Sequence, residues 1–74
     1  MKRGMFMFNK ETQRYDICFG VGDYYGGLHC GDCFEIFFDG KWVKTRLEMN
    51  VMNNEWYLVG IPTSIKGKAF GARI

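Results

Sequence analysis

The stretch that decides how this chain is read is CFEIFFDGKWVKTRLEM, residues 33–49. Two runs rich in aromatic and β-branched residues flank Asp39-Gly40, the dipeptide best suited to a two-residue type I′ turn. If Phe38 and Lys41 close that turn, Phe37 opposes Trp42, Ile36 opposes Val43, Glu35 opposes Lys44, Phe34 opposes Thr45 and Cys33 opposes Arg46. Side chains alternate across a strand. One face therefore carries Phe34, Ile36, Val43, Thr45, Leu47 and Met49, and the other Cys33, Glu35, Phe37, Trp42, Lys44, Arg46 and Glu48. The first set is a core. The second joins an aromatic pair to a ladder of charges, as a solvated or partner-binding surface would. Cross-strand pairs such as Glu35 with Lys44 contribute about 0.2–1 kcal/mol each, enough to hold register but not a fold.

Outward from this hairpin the pattern remains that of strands. GMFMF (4–8) and RYDICF (14–19) flank the polar NKETQ, which suits a hairpin loop. GVGDYYGG (20–27) reads as a flexible glycine-rich loop that carries Tyr24 and Tyr25. Beyond residue 49, NVMNN offers a turn, EWYLVG a strand, IPTSIKGK an irregular crossover and AFGARI a last strand that closes the sheet. The register around Asn53-Asn54 leaves open whether Trp56 or Tyr57 faces inward. No segment holds a helical repeat. The order predicts one all-β domain over residues 1–74, a small, strongly bent antiparallel barrel of five to six strands, Src-homology-3-like. Gly20–Gly27 would form its long first loop, Gly31-Asp32 its bend and Pro62–Ser64 the turn before the final strand. A twisted open sheet or a dimer of half-barrels fits the same pattern.

Seventy-four residues make one domain near the lower limit for an unstapled core. Hydrophobic residues at 47% and aromatics at 18% are enough to fill that core, so disorder is not expected. A net charge of +2 is too weak a field to predict nucleic-acid binding by itself. Three cysteines cannot all pair within one chain. The start, MKRGMFMFNKETQ, lacks the apolar length of a signal peptide, and no run approaches the roughly 20 residues that cross a bilayer. A cytoplasmic protein with no membrane association is the expectation.

LHCGDC, residues 28–33, is the one stretch that looks like chemistry. Structural zinc needs four ligands, commonly two pairs on rigid turns. The candidates are Cys18, His29, Cys30 and Cys33, with no second C-x-x-C, and the hairpin register sets Cys33 beside the Arg46 cation. A redox pair gains thiolate character from a helix N-terminus, whereas here a strand follows. The architectural reading is preferred: Leu28 and Cys30 tuck inward, Gly31-Asp32 bends the chain and Cys33 starts a strand. No metal or other cofactor is expected. Glu35 and Glu48 sit among Lys44 and Arg46, which favours ion pairing over acid–base work. GVGDYYGG lacks both the spacing and the following helix of a phosphate-binding loop. No catalytic residues are assigned, and the chain is not expected to be an enzyme.

With LHCGDCFEI, KWVKTRLE and WYLVGI in view, the chain resembles a family of unknown function. Its members are short proteins of Gram-positive bacteria, often encoded on plasmids, phages and conjugative elements. The likeness runs from about Arg14 to Ile74 and includes the ending at Gly67, Arg73 and Ile74. It implies a cytosolic accessory protein of a mobile element and transfers no site residues.

Two functions compete. The first is a protein-interaction module whose binding residues are Phe37, Trp42, Lys44 and Arg46, extended by Tyr24 and Tyr25 of the glycine-rich loop; aromatics with arginine are common interface anchors. Against it, Trp42 could simply cover the end of the barrel. The second is nucleic-acid binding, with Lys41, Lys44 and Arg46 beside Trp42 and Lys66, Lys68 and Arg73 added from the C-terminal part. A homodimer is a further possibility for so short a chain.

Overall fold

The chain reverses at Asp39 and Gly40, whose φ angles of 53° and 79° are the positive pair that a type I′ turn requires. A computed structural model describes all 74 residues. It contains seven strands and no helix: β1 (Arg3–Asn9), β2 (Arg14–Gly20), β3 (Asp23–Tyr24), β4 (Cys33–Phe38), β5 (Lys41–Asn50), β6 (Glu55–Leu58) and β7 (Phe70–Arg73). β4 and β5 pair in the expected register, from Cys33 with Arg46 to Phe38 with Lys41. Phe34, Ile36, Thr45 and Leu47 are buried, as their face requires.

The strand order is β3-β2-β1-β7-β4-β5-β6. All neighbours are antiparallel. The all-β antiparallel expectation holds, but the five to six strands expected to form a bent barrel are instead part of an open sheet, the alternative that fits the same pattern. The sheet has seven strands and stays open, with β3 and β6 as its edges. A two-residue and a four-residue edge offer few free backbone groups for a closing ladder. Nor does AFGARI close the sheet. It enters the middle, where β7 pairs with β1 on one side and β4 on the other. Lys2 and Ile74 extend that ladder with two reciprocal backbone hydrogen bonds of 2.8 and 3.0 Å. The two ends of the chain are thus joined at the centre of the sheet.

The concave face holds the core. Phe6 lies between Tyr15 (centroids 5.1 Å apart) and Phe34 (5.7 Å), nearly parallel to both. Ile17, Leu28, Ile36, Leu47, Leu58 and Ala72 surround this stack, and Ile61 and Ile65 of the crossover plug it from above. Trp56 opposes Met49 and packs on the core, while Tyr57 opposes Glu48 and faces out. That resolves the register around Asn53-Asn54.

Two loop expectations change. The segment 20–27 contains β3 and folds back along β2, where Tyr25 N–H donates to the Ile17 carbonyl at 2.9 Å. Beneath it Asp16 is 2% exposed; its Oδ1 accepts the N–H groups of Ile17 (2.8 Å) and Gly26 (3.1 Å), so the buried carboxylate is satisfied by backbone. In the LHCGD bend, Leu28 is buried but Cys30 is exposed, the reverse of the inward position expected for the thiol. The bend is set by the Asp32 carboxylate accepting His29 N–H at 2.8 Å and by Gly31 at φ 91°.

Candidate functional site

Alternation along β4 and β5 sends Phe37, Trp42, Lys44 and Arg46 to the convex face, together as the sequence predicts. Phe37 and Trp42 meet edge to face, with centroids 5.3 Å apart and planes at 70°. Phe37 remains 46% exposed, and Met5, at 45%, lies on the same face of β1. Between them runs β7 with Gly71, where an added Cβ would stand 3.4 Å from the Phe37 Cβ. A glycine at that point leaves the ring room to lie over the strand.

Because β7 is central, it delivers a residue that the hairpin alone does not reveal. The Arg73 guanidinium carbon sits 4.2 Å from the centre of the Trp42 ring, and that of Arg3 5.6 Å from it. Arg73 donates through Nε to Glu35 Oε1 at 2.6 Å, with both side chains mostly covered. Glu35 therefore pairs with Arg73 rather than with Lys44, its register partner. Trp42 does not cover an end of the core; it lies on the outer face beneath an anchored guanidinium. Arg3 and Met5 were not legible as site residues, because only the long-range pairing of β7 with β1 brings them to this face.

Tyr24 and Tyr25 do not extend this surface. β3 lies at one edge of the sheet, and β2, β1 and β7 separate it from β4. Lys66 and Lys68 also lie elsewhere, beside Trp56, while Arg73 alone of the C-terminal cations reaches Trp42.

The thiols are likewise dispersed. Cys18 is on β2 and donates to the Gly20 carbonyl, Cys33 starts β4, and Cys30 lies in the bend. No group of three or more His, Cys, Asp or Glu side chains gathers to hold a metal ion. Cys30 Sγ donates to Glu48 Oε1 at 3.0 Å, and Arg46 Nε donates to Glu48 Oε2 at 2.7 Å. The thiol's hydrogen bond to this carboxylate pushes the Cys30 pKa up, which disfavours a reactive thiolate. Donation from Cys30, and then from Arg46, holds Glu48 below the usual carboxylate range. No helix is long and apolar enough to cross a membrane.

Comparison with known proteins agrees with this architecture. The chain is 40% identical to a protein from Ruminococcus gnavus whose crystal structure superposes with a TM-score of 0.81, covering 97% of this chain and 99% of that one. No curated protein matches it. Residues 4–70 match a domain of unknown function, DUF5348, a span that takes in the first hairpin strand as well as the LHCGD bend and the β4–β5 hairpin. By that match, over nearly its whole length, the chain belongs to the DUF5348 family.

Proposed function

We propose that this protein is a non-enzymatic interaction module that receives a protein partner on the convex face of its sheet. One observation carries the reading: the half-exposed Phe37–Trp42 pair, flanked by Met5 and backed by the anchored Arg73. Rigid aromatics beside arginine supply contact area at little entropic cost, because their rotamers are already fixed. Arg3 and Lys44 around the pair have no acidic partner, whereas Arg73 and Arg46 do. The surface therefore suits an apolar segment with acidic flanks. In this reading the protein works in the cytosol as an accessory factor of a mobile element, the role implied by the family resemblance. A second copy added along the β6 edge is the dimeric version of the same idea.

Affinity capture with Trp42→Ala and Phe37→Ala, compared with the wild type, tests the proposal. The expected result is loss of the captured partner with the circular-dichroism melt largely retained. Capture unchanged in both variants sinks it. Binding of nucleic acid through the same face is the second reading, supported by Arg3 and Arg73 at the Trp42 ring and by Lys44 and Arg46 further along the same face of β5. It predicts a mobility shift that fades steeply with salt. The ring of Trp42 is already occupied by Arg73, which leaves less room for a stacked base.

A further inference from the structure

The curled sheet leaves a seam on its concave side, opposite the face described above. Phe8 of β1, Tyr15 of β2 and Trp56 of β6 line a cleft of about 710 Å³ along that seam. Phe8 and Tyr15 meet edge to face with centroids 5.1 Å apart, so the floor is a fixed aromatic surface. Phe8 and Trp56 pack on the core and are only partly buried. Three lysines line the cleft, Lys10 from the β1–β2 turn and Lys66 and Lys68 from the crossover, against one acid, Glu55. None of the four takes part in an ion pair. Lys68 Nζ donates to Thr63 Oγ1 at 2.9 Å, which holds its charge at the cleft without neutralising it. The contrast with Arg46 and Arg73, both tied to carboxylates, is chemical and local.

A cleft of this size accepts a small molecule or a unit of a polymer. Its lining asks for two things at once: a flat ring to lie on aromatics and several negative charges to meet lysines. An acidic peptide supplies the charge, but its ring has to come from a separate aromatic side chain, whereas a nucleotide carries ring and phosphate in one unit. A lipid headgroup supplies charge, but its acyl chains have no rings to stack. We propose that the seam binds a nucleotide unit, with the base against Trp56 and Phe8 and the phosphate on Lys10, Lys66 and Lys68. The unit comes either from a free nucleotide or from one position of a single strand; the site chemistry is the same. The site is independent of the protein-docking face.

The test uses the full chain at low salt with three probes: a fluorescein-labelled oligothymidylate followed by anisotropy, and ADP and inorganic pyrophosphate followed by calorimetry. Lys66→Glu with Lys68→Glu changes two exposed side chains and is expected to lower affinity for oligonucleotide or ADP at least tenfold. Lys44→Glu on the convex face is expected to leave it unchanged. Trp56→Leu, with its fold checked by circular dichroism, is expected to weaken the base-bearing probe several-fold while sparing pyrophosphate. Binding of both base-bearing probes identifies a free nucleotide as a sufficient ligand, and binding of the oligonucleotide alone identifies a single strand; either upholds the site. Binding of neither overturns it. So does affinity insensitive to the two lysine changes, or a polyglutamate competitor that binds as tightly as the oligonucleotide.

Discussion

The two tryptophans lie on opposite faces of one sheet and are held in different ways. Trp42 is the second residue after a two-residue turn, and its neighbours follow from local register: Phe37 across the hairpin and Lys44 and Arg46 along its own strand. Two of the cations on its face are tied to carboxylates, Arg73 to Glu35 and Arg46 to Glu48, while Arg3 and Lys44 stay unpaired. Trp56 is also the second residue from its turn, yet it faces inward, onto a core assembled from both halves of the chain. The lysines near it are unpaired. The difference teaches that parity within a hairpin assigns a face, while only the long-range pairing of β7 assigns what that face will meet.

Phe6 underlies both regions, so Phe6→Ala should break both together. Its ring stacks on Tyr15 toward the seam and on Phe34 behind the β4–β5 hairpin. Removing a fully buried ring costs about 3–5 kcal/mol, a large part of the stability of so small a domain. A urea titration should show loss of the folded baseline or a large fall in midpoint. A midpoint within error of the wild type would mean that the stack is not the shared floor.

Comparing the tryptophans directly sharpens the contrast. Trp56 packs on the core whereas Trp42 does not. Partial burial places Trp56→Ala at about 2 kcal/mol, below the cost of a fully buried ring. Trp42→Ala should cost about 1 kcal/mol, mainly the aromatic and cation–π contacts of the outer face. Chemical denaturation of the two variants side by side gives the ordering, and the reverse order would exchange the structural and surface roles assigned here.

Much of the outer face was legible because its information is local. Asp39-Gly40 permits one tight turn, that turn fixes the register, and register places Phe37, Trp42, Lys44 and Arg46 together. The central position of β7 was not legible, because AFGARI has no turn linking it to β1 or β4 and its partners are distant in sequence. With β7 misplaced as a closing strand, Arg73 and Gly71 could not be assigned to Trp42 and Phe37. The outward reach of Tyr24 and Tyr25 failed for the same reason: nearness in sequence to the β4–β5 hairpin hides the three strands that intervene. Asp16 lies between Tyr15 and Ile17 on β2, and its burial depends on the folded-back glycine-rich segment, whose Gly26 N–H it accepts.

The Glu35–Arg73 pair gives a smaller effect that separates anchoring from stability. Both side chains are largely covered, so Glu35→Gln should cost about 1 kcal/mol, at the upper end for ion pairs of limited exposure. Its more telling consequence is positional. Without the carboxylate, Arg73 is released from the Trp42 ring, and Trp42 fluorescence in a Trp56→Phe background should change in intensity or become more readily quenched by iodide. Unchanged quenching would show that the ring, not the carboxylate, holds the guanidinium.

The smallest effect is expected at the charged end of the same face. Glu48 accepts from Cys30 and from Arg46, so its lowered pKa and the raised pKa of Cys30 share one cause. Glu48 has its pKa depressed in the folded state, so its contribution is present above about pH 4.3, the ordinary glutamate value, and is lost as pH falls through the lowered native one. Cys30 runs the other way: its contribution is present below about pH 8.5 and is lost as pH rises through the raised native value. Glu48→Gln removes the charge that the thiolate would face. Cys30 should then react with iodoacetamide at pH 8 a few-fold faster than in the wild type, read site by site by mass spectrometry. Access is not the obstacle, since Cys30 is already exposed. A rate that does not change on removing Glu48 would show that the carboxylate does not govern this thiol. A fall in rate would show that the substituted amide holds the thiol more tightly than the carboxylate does.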